Sequence, residues 1–306
     1  MRAVIIGTRG SSLAMCQAQI VQTKLEESAP RQPFTLQPLT TRADRHPEAP
    51  LTALGEEGVF VKELEAALLD GRIDLAIHSM KDMPLDIPSG LRITAVLERD
   101  EPRDALVSCS GAGLEQLPSG ARVGTSSPRR RSQLLRLRDD LRVLEMRGNL
   151  DTRLRKLDEG RYDAIVVAAC GLIRLGLEHR IAEYLEFAQM LPEPGQGALA
   201  IETRSDDRLL GDLVARLEDP MTRACIDAER AFLRALGGGC RVPVAAYAAC
   251  REGMLTLEGT ITAVDGHGQV RGTDTAPMTE PVTLGERLAR RLTAQGAREL
   301  LDFKNS

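Results

Sequence analysis

The residues best suited to chemistry lie in one short stretch, Asp74-Leu75-Ala76-Ile77-His78-Ser79-Met80-Lys81-Asp82-Met83-Pro84. The apolar run at 75–77 reads as a buried strand. It stops on His78, Ser79, Met80, Lys81 and Asp82, and Pro84 bars regular structure soon after. In an open α/β sheet, ligands sit at the carboxyl ends of strands. A lysine–carboxylate pair therefore stands where a reaction would be run. Read alone, Asp82 has two uses: it caps a turn beside Met83-Pro84, or it faces a ligand.

Three strand-to-helix turns share a second theme. They are Thr8-Arg9-Gly10-Ser11, Thr125-Ser126-Ser127-Pro128-Arg129-Arg130 and Arg147-Gly148-Asn149-Leu150-Asp151-Thr152-Arg153. Each joins a helix N-terminus, with its free N–H groups and partial positive charge, to hydroxyl or amide side chains and arginine. Arginine adds a planar fork that fits carboxylate or phosphate. One such turn would be plain capping. Three on strand ends predict a cleft for a polyanionic small molecule. Nucleic acid fits less well, because the turns lack interleaved aromatics and the net charge is −4. No G-x-x-x-x-G-K-[ST] phosphate loop occurs.

Cys240 follows Gly237-Gly238-Gly239 and precedes Arg241. The glycines permit close backbone approach, and the arginine favours a thiolate. A small hydrophobe at a loop-to-strand junction explains the same residues, and spacing alone leaves both open. The six cysteines form no Cys-x-x-Cys pair and have only four histidines as co-ligands, so neither zinc nor a disulfide framework is expected. Most should be reduced and buried. None of the histidines, His78 included, is assigned catalysis.

The elements that must position these groups follow from the pattern. At 306 residues the chain is long enough for two or three domains; its 42% hydrophobic and 27% charged content is that of an ordinary soluble protein. Aromatics are 3% with no Trp, so the cores must be aliphatic. Strands are predicted at 4–6, 34–39, 75–77 and 91–97, with helices over 13–27 and 59–70 and a long loop at 42–57. A second block has strands at 105–108, 123–124, 142–144 and 163–169, with helices after Pro128 and through Lys156. A turn at 192–197 precedes a strand at 198–202. Helices at 209–217 and 221–236 are followed by strands at 242–248, 254–263 and 269–274 and a helix over 283–300. Alternating strands and helices in two blocks predict two parallel-sheet α/β domains, then a small α+β domain. The longest apolar run, 164–173, is far below a membrane span, and the N-terminal run is too short for a signal peptide, so a cytoplasmic protein is expected.

Several of these motifs, in this order and spacing, resemble the porphobilinogen deaminase (hydroxymethylbilane synthase) family. They are His78-Ser79-Met80-Lys81-Asp82, Gly124-Thr125-Ser126-Ser127-Pro128-Arg129-Arg130, Arg147-Gly148-Asn149, Pro194-Gly195-Gln196-Gly197-Ala198 and Gly238-Gly239-Cys240-Arg241-Val242-Pro243. The agreement runs from Gly7 to about Tyr247. The resemblance implies two α/β domains like the halves of a periplasmic binding protein and a chain that returns to the first after the second. Domain 1 would be 1–97 with 198–216, domain 2 would be 98–197, and domain 3 would be 217–306. It implies a transferase of tetrapyrrole biosynthesis. Four porphobilinogen molecules would be joined head to tail, with loss of ammonia, to give hydroxymethylbilane. The cofactor would be a dipyrromethane primer attached through a thioether at Cys240.

By the same resemblance Asp82 is the catalytic carboxylate, managing the proton and the cationic azafulvene left when ammonia departs. The acetate and propionate groups of the pyrroles would be held by Arg9, Ser11, Ser79, Lys81, Thr125, Ser127, Arg129, Arg130, Arg147, Arg153 and Arg174. Gln17 and the backbone at Gly171 are further candidates. The expected protein is a monomer without metal, nucleic-acid partner or membrane. The chain departs from the family at Ala53 and Glu57, where many members carry lysine, and at Arg241, where many carry glutamine. The alternative from another class is a non-catalytic binding protein for small carboxylates on the same bilobed fold.

Overall fold

The computed structural model describes residues 2–41, 61–238 and 243–302. The early elements are β1 (Val4–Arg9), α1 (Ser12–Ser28), β2 (Phe34–Leu39), α2 (Lys62–Leu69), β3 (Leu75–Ser79) and β4 (Leu91–Val96). Then come β5 (Asp104–Ser108), β6 (Arg122–Gly124), α3 (Pro128–Leu137), β7 (Arg142–Leu144), α4 (Leu150–Asp158), β8 (Ala164–Ala168), α5 (Ala169–Arg174) and β9 (Glu183–Leu185). The chain continues through β10 (Leu199–Arg204), α6 (Arg208–Val214) and α7 (Pro220–Ala235). It closes with β11 (Val244–Arg251), β12 (Met254–Thr262), β13 (Gln269–Pro277), α8 (Pro281–Ala294) and α9 (Ala297–Asp302). It divides into two units, residues 1–100 with 197–223 and residues 101–196 with 224–306.

The first unit holds a five-stranded sheet in the order β2-β1-β3-β10-β4. β1 runs parallel to β2 and β3, whereas β10 is antiparallel to β3 and β4. The strand after the 192–197 turn thus enters the first sheet. Its start needs glycine: Gly197 has φ +92°, and a Cβ there would lie 2.6 Å from the Asp100 carbonyl oxygen. β3 is apolar because both its faces are covered. Leu75 and Ile77 pack with Ala18, Val21 and Leu25 of α1, while Ala76 packs with Leu64, Ala67 and Leu68 of α2. Each large aliphatic buried in this way contributes about 1.5–3 kcal/mol.

The second unit repeats the plan as β7-β6-β8-β5-β9. Here β6 is parallel to β7 and β8, and β5 is antiparallel to β8 and β9. The carboxyl ends of the parallel strands therefore share one edge in each sheet. The same unit contains the three-stranded antiparallel sheet β11-β12-β13. Phe232 of α7 and Leu284, Leu288 and Leu292 of α8 pack there on Leu255, Leu257 and Ile261.

Most predicted elements stand within a residue or two. The helix expected over 283–300 is two, α8 and α9, because the chain turns at Gln295-Gly296 with Gly296 N–H donating to the Thr293 carbonyl. α5 and β9 were not expected. α5 extends the apolar run of β8, so hydropathy cannot separate strand from helix there. β9 has only three residues. The helix expected at 209–217 ends at Val214 and finishes as a tighter 3-10 turn. β13 runs three residues past its expected end. The 42–57 loop, with Ala53 and Glu57, and the residues Cys240 and Arg241 lie outside the described residues.

Candidate active site

In the first unit the candidates gather at the carboxyl edge of β1 and β3. Arg9 ends β1 and Ser79 ends β3. Ser11 is the N-cap of α1, its Oγ accepting from Ala14 N–H at 3.3 Å. Buried Gln17, nearly two turns further along α1, donates from Nε2 to Ser79 Oγ at 3.1 Å. So Gln17 ties a helix to the strand end that leads into Asp82.

The turn itself, Met80–Asp82, is a single 3-10 turn. Met80 and Met83 are buried on either side of it, while Lys81 and Asp82 are half-buried. Met80 N–H donates to the Ala198 carbonyl at 3.0 Å, and Met83 N–H closes the turn onto Met80 O at 3.2 Å. Backbone bonds and two methionine plugs therefore hold the turn. The capping use open to Asp82 is met by the main chain instead.

In the second unit the candidates follow β6, β7 and β8, again at one edge. Ser127 is the N-cap of α3, with Pro128 at its first position. Buried Thr125 accepts from Ser127 N–H at 3.2 Å through Oγ1, and its own N–H donates to Leu144 O at 2.9 Å. Ser126 Oγ donates to Met146 O at 2.5 Å. These bonds join the turn after β6 to the turn after β7. Arg147 and Gly148 open that second turn, and Asn149 caps α4 by accepting from Thr152 N–H at 2.9 Å. Gly148 has φ +111°, and a Cβ there would lie 2.6 Å from Thr152 Cγ2, so only glycine fits. Arg153 folds back and donates from Nε to the Gly148 carbonyl at 2.9 Å. After β8, buried Gly171 and half-buried Arg174 lie in α5.

Arg129 and Arg130 are buried rather than solvated on a helix face. Asp104, fully buried at the start of β5, accepts from Arg129 Nη1 at 2.6 Å and from Arg130 Nε and Nη2 at 3.0 and 2.8 Å. Arg130 also donates from Nη1 to Val166 O at 3.2 Å, so its fork is engaged. Gln196 Nε2 donates to Asp104 Oδ1 at 3.0 Å and to Pro102 O at 2.7 Å. Burial alone would raise the Asp104 carboxyl, but the two guanidinium charges and their hydrogen bonds hold it well below the usual carboxylate range. Arg129 differs from Arg130. Its Nε and Nη2, the two donors of one edge of the fork, are buried without a hydrogen-bond partner among the described residues. That edge is the one that takes a carboxylate bidentately.

Sequence reasoning passed over Asp104 and gave Gln196 no role. The one signal for Asp104 is an acid opening an otherwise apolar strand, Asp104-Ala105-Leu106-Val107.

Comparison with known proteins decides what this geometry belongs to. Residues 4–212 match the family described as "Porphobilinogen deaminase, dipyromethane cofactor binding domain", and residues 223–294 match "Porphobilinogen deaminase, C-terminal domain". The porphobilinogen deaminase of Syntrophotalea carbinolica is 49% identical over 300 residues, covering 98% of this chain and 95% of its own.

The chain belongs to the porphobilinogen deaminase family.

Further porphobilinogen deaminases, from Roseiflexus sp. and Laribacter hongkongensis, are 49% and 46% identical. They cover 98% and 99% of this chain, and 99% and 98% of their own lengths. Among solved structures, a putative methionine-binding lipoprotein from Bacillus subtilis is 13% identical and covers 70% of this chain and 89% of its own, with a TM-score of 0.45.

Proposed function

We propose that this chain is a hydroxymethylbilane-forming transferase, joining four porphobilinogen molecules head to tail with release of ammonia, in tetrapyrrole biosynthesis. Membership of the family over nearly the whole chain carries the reading. A dipyrromethane, held by a thioether at Cys240, is the cofactor; when bound it supplies the nucleophilic pyrrole carbon to which substrate units are added. The residues present suit so acidic a group. Arg129 has a buried donor edge without a hydrogen-bond partner among the described residues, and Arg147, Arg153 and Arg174 stand at the same sheet edge.

Asp82 is the reacting group of the chain itself. The aminomethyl nitrogen of porphobilinogen leaves protonated, as ammonia, and the carbon it leaves becomes cationic. Asp82, half-buried at the end of β3, delivers the proton and then faces the positive charge as a carboxylate. The proton displaced from the nucleophilic ring carbon when the new carbon–carbon bond forms returns to Asp82. Ser79, Lys81, Arg9 and Ser11 orient the incoming acetate and propionate groups, and Gln17 orients Ser79. Thr125, Ser127, Arg129, Arg147, Arg153, Arg174 and the Gly171 backbone hold the growing acidic chain. Arg130 holds Asp104 in place beneath it.

A non-catalytic binder of small carboxylates is not favoured, because the family is one of enzymes and a binder has no use for Asp82 or Cys240. The three-part division at 97/98, 197/198 and 216/217 is supported by separate sheets and a separate core beyond residue 217. Among the described residues no helix is long and apolar enough to cross a membrane. We read the enzyme as a cytoplasmic monomer.

Intact mass spectrometry tests the assignment. The expected wild-type mass exceeds the chain mass by two linked pyrrole units, and Cys240→Ser lacks the increment. A folded, unmodified wild type that leaves porphobilinogen unconsumed refutes it.

A further inference from the structure

A buried polar cluster lies behind the Ser79–Asp82 turn, and the reaction described above leaves it unused. Successive residues of β3 point to opposite faces. Ser79 points toward α1, where Gln17 meets it. His78 points the other way, and its Nε2 lies 3.1 Å from Oε2 of Glu202 on β10. Both side chains are buried, Glu202 completely. His78 stands opposite Ala200 and Ala76 opposite Glu202, so the pair bonds diagonally across two antiparallel strands.

Glu65 of α2 is the third member. Burial first, and then the charge of Glu202, pushes its carboxyl up, while His78 and Lys62 pull it down. Glu65 Oε1 and Glu202 Oε1 are buried and have no hydrogen-bond partner among the described residues. Two carboxyl groups and an imidazole are a costly way to hold two strands that apolar residues would hold as well.

The cluster is placed to act on the turn. The β3–β10 ladder runs on from His78 to Ser79, opposite Leu199, and then to the bond from Met80 N–H to Ala198 O. The register clamped by His78 and Glu202 therefore sets where the backbone of Met80–Asp82 lies.

We propose that His78 and Glu202, with Glu65 beside them, are positioning residues that aim Asp82. This rests on Asp82 being the catalytic carboxylate. The test measures kcat, KM, melting temperature and intact mass for Glu202→Gln, His78→Gln, Glu65→Gln and Glu65→Leu. A displacement of reacting groups by about 1 Å costs up to about 100-fold in rate. Glu202→Gln and His78→Gln should therefore lose about 10- to 100-fold in kcat, with KM within about twofold and the primer mass retained. Glu65→Gln, the neutral isostere, should lose less than Glu65→Leu. Unchanged kcat in folded, primer-bearing Glu202→Gln and His78→Gln overturns the proposal. So does a parallel loss of kcat, substrate affinity and primer, which is the signature of general disruption. Should Glu202→Gln fail to fold, His78→Gln decides by the same criteria. A wild type without primer or turnover refutes the enzymatic reading itself, and this inference with it. An active wild type with indifferent variants refutes only this inference.

Discussion

The turn after β3 and the turn after β6 occupy the same place in two sheets of the same plan, yet they handle charge in opposite ways. In the first unit Lys81 and Asp82 are left half-buried, and the turn is held by main-chain bonds and by buried Met80 and Met83. In the second unit the charges themselves make the structure. Asp104 is fully buried, and Arg129 and Arg130 bind it from one turn of α3. On the proposed reading, Asp82 is the reacting carboxylate and must stay accessible and free to change protonation, whereas Arg129 is a gripping arginine that a buried counter-ion keeps rigid. The same strand-end position serves either use, depending on which groups the fold satisfies internally.

The comparison breaks most visibly at the two acids. Asp82→Asn should lower kcat by about 10²- to 10⁴-fold, the range for removing a general acid or base, and leave the urea unfolding midpoint unchanged. A near-normal rate in that variant would remove Asp82 from the mechanism. Asp104→Asn should do the reverse in kind. Removing one partner of a buried ion pair costs about 3–5 kcal/mol, so the urea midpoint should fall sharply, with loss of activity following from unfolding and from the loosened grip of Arg129.

Their pH dependence should differ too. The Asp104 carboxyl is held below its ordinary value, so its stabilising contribution is complete above pH 4 or so and is lost as pH falls through the lowered value. Acid unfolding followed by circular dichroism should therefore be shallower in Asp104→Asn than in wild type. An unchanged acid limb would show that the cluster is not what acid dissolves.

The smallest effect sharpens the first region alone. Gln17→Leu removes the bond to Ser79, worth about 0.5–1.5 kcal/mol net. The expected outcome is a several-fold loss in kcat/KM with the primer still attached. No change would mean that Ser79 is positioned by the strand alone.

Much of this was legible in the chain. Apolar runs of strand length, Ser127-Pro128 and Asn149 as helix starts, and a lysine–aspartate pair closing a strand are local signals, and each is found where expected. α5 was hidden because its residues continue the apolar run of β8. Arg129 and Arg130 read as ligand-binding arginines, and their buried partner Asp104 was hidden because a helix start alone does not say which face is covered.

The sequence by itself determined the two α/β blocks, the capped turns and the family motifs around Asp82 and Cys240, since these rest on spacing and composition over a few residues. Only the tertiary structure decided which charges neutralise one another. Asp104 meets Arg129 and Arg130 across about 25 residues of chain, and His78 meets Glu202 across 124. Those partnerships exist because sheet order places β5 beside β8, and β10 beside β3. The electrostatics of a buried group depend on neighbours in space, so no local reading of the chain contains them.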